Sequence, residues 1–250
     1  MSNQHQSENG REVLAQIRDL SVTYHTRLGG LSAVEGVSFD IYKGEILGLV
    51  GESGCGKSTM GKALMRMIPR PGEISDGQII FDGEDIMEYD QEQMRDFRGR
   101  RVSMIFQDPM TSLNPVQRVD EHIVEAIRVH EPKTPVERAL ERAQTLIEKL
   151  GIQKKRLEDY PHQLSGGMRQ RVMIGLGLVL NADLIVADEA TTSLDVIVEA
   201  KLLDEFEKLR DEYNLTVLLI THNIAVVAQL ADRVAVMYAG RMVEIGSVTE

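Results

Sequence analysis

One cysteine, Cys55, is present in 250 residues, so no internal disulfide can form and a reducing compartment is expected. No apolar run is long enough for a bilayer: the longest, residues 172–180, is nine residues with two glycines, well short of the ~18 needed to span. Residues 1–11 are polar without an apolar core, which argues against a signal peptide or anchor there and predicts a flexible tail. Positive charge is in deficit. Twenty-eight Lys and Arg against 39 Asp and Glu leave a net charge of −11, a balance that favours solubility and argues against tracking a nucleic-acid backbone. Internal repeats, low-complexity tracts, long linkers and an Asn-Lys-x-Asp guanine reader are also missing. A 28.0 kDa chain with these absences has room for one substantial core and a smaller attached lobe.

What is present begins with a glycine-rich loop. Gly51-Glu52-Ser53-Gly54-Cys55-Gly56-Lys57-Ser58-Thr59 fits G-x-x-x-x-G-K-[ST]. An apolar run precedes it at residues 46–50, and residues 60–68 follow without proline, so the loop falls between a strand and a helix. Glycines let successive N–H groups face one point, and a helix N-terminus adds partial positive charge, an arrangement suited to a nucleotide's phosphates. Lys57 is positioned to reach the terminal phosphates and Ser58 to ligate Mg²⁺. Cys55 reads as a small loop residue, not a nucleophile.

Strand-like alternation covers residues 13–24 and 34–42 on either side of an expected Gly29-Gly30 turn, and a short strand at 78–81 closes on Asp82-Gly83. These predict an antiparallel layer. A strand at 102–106 is followed by helix-forming composition. The clearest helix starts at Thr134-Pro135-Val136-Glu137, which reads as a capping box with proline at the first helical position, and runs to a Gly151 cap. Its stripe of Val136, Ala139, Leu140, Ala143, Leu146, Ile147 and Leu150 is that of a core-facing helix. Beyond it, strands at 184–187, 216–220, 234–238 and 242–245 alternate with helices near 196–213 and 224–230, the last two strands meeting at Ala239-Gly240. The pattern predicts an α/β core with a mainly parallel sheet, an antiparallel β layer, and a helical lobe at about 108–180 inserted into one domain of 12–250.

Asp188-Glu189 ends an apolar strand, at the edge where ligands gather in α/β folds. Alternation sends the two side chains opposite ways, so they take different roles: Asp188 in the Mg²⁺ shell, Glu189 as general base toward an attacking water. Thr221-His222 ends the next strand in the same way and offers a γ-phosphate contact. Leu164-Ser165-Gly166-Gly167-Met168-Arg169-Gln170 forms a second anion-binding helix start. Two such starts and one strong water-activating carboxylate are arranged economically by two antiparallel chains, each nucleotide lying between the loop of one and the Ser-Gly-Gly segment of the other.

Together these residues resemble the ATP-binding cassette family, over about residues 13–246. The resemblance implies an ATPase binding ATP and Mg²⁺. It implies a Walker A loop at residues 51–59, a Q-loop at Gln107 that also serves the metal, and a signature at 164–170. It further implies Walker B at 185–189 with Glu189 catalytic, a D-loop including Asp195, and a switch histidine at His222. Tyr24 falls where the family stacks an aromatic on adenine, and an ordinary strand tyrosine reads the same. Residues 106–115 and 164–173 resemble the branch that imports di- and oligopeptides, with nickel and oligosaccharide systems among its relatives. That branch implies a peripheral subunit on the cytoplasmic face of the membrane. Its expected partners are a second identical or paralogous ATPase subunit, a transmembrane permease and an extracytoplasmic solute-binding protein, with no nucleic acid. DNA-repair cassettes fit poorly, because only 108 positions without sustained heptads separate Lys57 from Ser165; translation cassettes normally come in tandem. Ala190, Asn223, Gly175 and Gly177 depart from the branch's usual proline, aspartate and alanines. The branch's C-terminal extension is expected to be absent here.

Overall fold

The computed structural model describes residues 11–106, 113–189, 208, 210 and 214–249. The chain divides into two compact units, one of Met1–Met94 with Tyr213–Glu250, the other of Arg95–Glu212. In the first, β1 (Val13–Thr26) and β2 (Gly29–Tyr42) form a long hairpin, β3 (Ile46–Gly51) and α1 (Lys57–Leu64) follow, and β4 (Gly72–Phe81) and β5 (Glu84–Asp85) return to it. The result is an antiparallel sheet of order β2-β1-β4-β5, the layer the alternation predicts. Ile17, then Leu20 and Val22, are buried on β1; the phase changes at a bulge where Asp19 takes φ of 49°. The first turn differs from expectation, lying on Arg27 and Leu28 instead of the two glycines. Thr26 accounts for this: its Oγ1 accepts from the Leu28 N–H at 3.2 Å and donates to Gly29 O at 2.7 Å, closing the turn before β2 begins.

The chain passes into the second unit within α2 (Gln91–Arg100), which has non-helical backbone at Arg98 and Gly99 and leads to β6 (Val102–Ile105). Then come α3 (Val119–His130), α4 (Val136–Lys149), α5 (Gly166–Leu178) and β7 (Leu184–Asp188), which pairs in parallel with β6. The expected capping box on α4 is not made. Pro135 is the N-cap, and the Thr134 hydroxyl instead donates to Glu131 Oε2 at 3.0 Å, because a proline one residue on leaves Thr134 outside the helix. At the other end Gly151, at φ 68°, donates to Glu148 O at 2.9 Å and Ile152 N–H to Ile147 O at 3.0 Å, a Schellman closure. The stripe on α4 buries Ala139, Ala143, Ile147 and Leu150, while Val136 stays exposed.

α5 buries residues on every side, including Gln170, Val172, Met173, Ile174 and Leu178. Its two unusual glycines are packing positions. A Cβ on Gly175 would lie 2.9 Å from Leu150 Cδ1, and one on Gly177 2.9 Å from Ile105 Cγ1.

The chain then re-enters the first unit through β8 (Thr216–Ile220), α6 (Ile224–Leu230), β9 (Arg233–Tyr238) and β10 (Arg241–Ser247). β8 and β9 flank β3 as parallel neighbours, and β10 pairs antiparallel with β9 across the Ala239-Gly240 turn, where both residues have positive φ. β3 is therefore a central strand, which is why Ile46, Leu47 and Leu49 are fully buried. At its entrance Glu45, 3% exposed, accepts from the Tyr42 N–H at 2.8 Å and from Arg233 Nη1 at 3.0 Å.

Candidate active site

β3 ends at Gly51 and α1 opens at Lys57, so the intervening residues make the strand-to-helix loop the motif requires. Gly51, Gly54 and Gly56 have φ of 155°, 81° and 107°, a backbone closed to most side chains. Space decides the two ends as well. A Cβ on Gly51 would sit 2.1 Å from Met237 O, and one on Gly56 2.3 Å from Ala33 O, whereas at Gly54 nothing lies within 4 Å. The loop is thus held against β9 and β2 at its ends and open in its middle, where Glu52, Ser53 and Gly54 are exposed. Cys55 is buried; its N–H donates to Glu52 O at 3.2 Å and its carbonyl accepts from the Gly240 N–H at 2.9 Å.

Lys57 is 5% exposed, and its Nζ donates to Gly51 O and Glu52 O, both at 2.9 Å. The ammonium is therefore centred on the loop. The α-helical ladder begins with Met60 N–H donating to Gly56 O at 2.9 Å, and the N–H groups ahead of it are those an anion meets at a helix start. Ser58 and Thr59 lie in that first turn, partly exposed. A curled glycine backbone, a cation and a helix start make this a cradle for phosphate oxygens.

Two other expected site residues lie in the same unit. Tyr24 is half-buried on β1, directly opposite Leu31 of β2 and Gly72 of β4. His222 is exposed just after β8. Beside it, buried Thr221 donates its N–H to Leu49 O at 3.2 Å and accepts the Asn223 N–H on Oγ1 at 3.0 Å. Asn223 is the N-cap of α6, its Oδ1 accepting from the Ala225 N–H at 3.1 Å. Asparagine and aspartate cap equally well, which explains how the departure from aspartate is accommodated.

The second unit holds the remaining described candidates. Asp188 is the last residue of β7 and 4% exposed. Glu189 lies just beyond the strand at φ 48°. Its direction is thus set by a left-handed backbone and not, as expected, by strand alternation, a conformation that costs on the order of 1–3 kcal/mol. Ser165 is the N-cap of α5, its Oγ accepting from the Met168 N–H at 3.3 Å. Ser165 and Gly166 are exposed and Gly167 partly so; a Cβ on Gly166 would meet nothing within 4 Å. The serine and glycines open a helix as the sequence predicts. Gln107, Asp195, Ala190 and nearly all of the helix expected near 196–213 lie outside the described residues.

Sequence reasoning missed the residues that back the loop: Ala33, Met237 and Gly240. The Ala239-Gly240 turn is legible as a turn, but no local signal says that it bonds to Cys55.

Chemically, the donors suit a nucleotide and its metal. Among the described residues no group of three or more His, Cys, Asp and Glu could hold a metal alone. Ser58 in the first unit and Asp188 in the second each carry an oxygen of the hard kind that suits Mg²⁺, an ion that takes one or two protein ligands while keeping waters and substrate phosphates.

Comparison with known proteins places this arrangement. The ABC transporter family model matches residues 34–192. The chain is 45% identical over 240 residues to the oligopeptide transport ATP-binding protein OppD of Bacillus subtilis, covering 95% of this chain and 67% of that protein. It is 44% identical to the dipeptide transport ATP-binding protein DppD of the same organism, covering 94% and 71%. With OppD of Escherichia coli the identity is 42%, over 96% and 71%. Among solved structures, the dimeric bacterial ABC transporter cassette MJ0796 superposes with a TM-score of 0.84 at 25% identity, covering 94% of this chain and 99% of that one. CbiO1 of Clostridium perfringens, part of the ABC transporter complex cbiONQ, gives 0.81 at 25% identity, over 95% and 90%. With its strand-loop-helix phosphate cradle and these matches, the chain belongs to the ABC transporter family, as a nucleotide-binding ATPase.

Proposed function

We propose that this ATPase energises an importer of di- and oligopeptides from the cytoplasmic face of a membrane. The observation that carries the reading is that relatives matching nearly the whole chain are named for oligopeptide and dipeptide transport. Among the described residues no helix is long and apolar enough to cross a membrane, so a transmembrane permease supplies the path and an extracytoplasmic solute-binding protein the selection.

In this reading the residues at positions 51–59 bind the phosphates, with Lys57 compensating their charge, and Tyr24 stacks on adenine. Ser58, Asp188 and Gln107 are the residues that hold Mg²⁺, which when bound neutralises phosphate charge. Glu189 takes the proton of a water as its oxygen bonds to the γ-phosphorus. The bond from that phosphorus to the bridging oxygen breaks, leaving ADP and phosphate, with His222 contacting the transferred group. Ser165, Gly166, Gly167 and Asp195 act on nucleotide held by a second cassette, identical or paralogous.

Glu189→Gln is expected to retain ATP binding while hydrolysis slows about 10²–10⁴-fold, whereas Lys57→Ala loses binding itself. Near-wild-type turnover in Glu189→Gln removes that residue from the proton-accepting role. For the transported class, the ATPase purified with its permease should be stimulated by a peptide-loaded binding protein; stimulation by nickel or an oligosaccharide instead overturns the peptide reading.

A further inference from the structure

Gly72 does not have the backbone conformation that makes glycine obligatory, since its φ lies outside the positive range, yet a side chain there has no room. A Cβ on Gly72 would lie 2.6 Å from Tyr24 Cε1, 2.8 Å from Tyr24 Cδ1 and 2.7 Å from Ile68 Cγ2. One edge of the Tyr24 ring therefore rests on the bare backbone of β4, in the space a side chain would fill. Tyr24, Gly72 and Leu31 stand directly opposite one another on three neighbouring strands, and paired residues of an antiparallel sheet project to one face. On the far side of the ring from Gly72, Leu31 is 61% exposed. The row is thus an aromatic ring seated on glycine at one side and flanked by an uncovered apolar side chain at the other.

We propose that Gly72 is a positioning residue for adenine: by lacking a side chain it lets the Tyr24 ring settle onto β4, at the inclination from which it stacks on the base. The inference rests on the assignment of Tyr24 to adenine. A methyl group at position 72 meets both the Tyr24 ring and the Ile68 side chain; displacing the ring weakens the hold on the base, and because neither group belongs to the phosphate loop the hold on the phosphates is spared.

The test compares binding of Mg-ATP and of inorganic triphosphate with Mg²⁺ to the full chain and to Tyr24→Ala, Gly72→Ala and the double variant, with melting temperatures alongside. Loss of one stacked base is worth about 5- to 150-fold in affinity. Tyr24→Ala and Gly72→Ala are each expected to weaken ATP by a factor in that range while leaving triphosphate within about two-fold, and in the Tyr24→Ala background the second substitution should have no further effect on ATP. If Tyr24→Ala weakens ATP selectively and Gly72→Ala does not, the positioning role is wrong and the stacking role stands. Equal loss of ATP and triphosphate in Gly72→Ala also overturns it, as a general disturbance of the fold. If Tyr24→Ala leaves ATP untouched, the base assignment fails and the proposal with it. Should Gly72→Ala alone fail to fold, recovery of folding in the double variant identifies the ring as the obstructing group and supports the proposal; failure of both overturns it.

Discussion

Glu45 is a buried carboxyl at the entrance to the strand that carries the phosphate loop. Burial pushes its pKa above the ordinary carboxyl value, and the Tyr42 N–H and the Arg233 guanidinium only partly oppose this. A folded pKa above the unfolded one means that the native state holds this proton more tightly. The contribution to stability is therefore full below the ordinary carboxyl range and is lost as pH rises through the raised value. Glu45→Gln keeps a carbonyl oxygen for the Tyr42 N–H and cannot ionise. The stability of the wild type relative to this variant should fall as pH is raised from about 4 to 7, measured by urea unfolding across that range. A relative rise would mean that attraction to Arg233, whose guanidinium also lies 4.8 Å from the centre of the Tyr42 ring, outweighs burial. Nothing in the sequence marks Glu45, since the glutamate and its arginine partner stand 188 positions apart. Lys57 was legible because its motif is local; the two carbonyls its ammonium meets are inside the same loop.

Among the elements, α5 shows where local reading stops. Its start could be read from Ser165 and the glycines after it, because an N-cap is a contact between neighbours in sequence. Its later glycines look like a cost of about 1 kcal/mol each when judged by helix propensity alone. The structure makes them contact points with α4 and with β6. The obstruction at Gly175 is the tip of Leu150, a flexible side chain, whereas at Gly177 it is Cγ1 of Ile105, a β-branched residue fixed in a buried strand. Gly175→Ala should therefore be close to neutral. Gly177→Ala should destabilise by up to about 2 kcal/mol, overpacking of about 1–3 kcal/mol less the gain in propensity. Denaturant midpoints of the two variants decide; a Gly177→Ala chain more stable than wild type would refute the contact. On α4 the same limit worked in reverse: a local capping signature was present, but Pro135 took the N-cap and left Thr134 to Glu131.

For the molecule as a whole, the order of strands and helices was legible because each has its own periodicity, while the backing of the phosphate loop was not, because it joins distant segments. Two helix starts suited to phosphate, one after β3 and one at Ser165, lie in different units of the chain, and under the proposed pairing of two chains the second acts on the nucleotide held by the other chain. A Ser165→Arg chain and a Lys57→Ala chain, each inactive alone, should recover ATPase activity when mixed, since one composite site is then intact. No recovery, despite crosslinked mixed dimers and a control in which single-site dimers turn over, would count against the shared site. The backing of the loop also has a meaning in time. Residues 51–57 are made early, yet both neighbours of β3 and the N–H that Cys55 O accepts come from residues 216–240. A growing chain therefore carries its most recognisable motif with only β2 behind it until β8 and β9 have been added, and the complete set of backbone partners is assembled only once Gly240 has joined the chain.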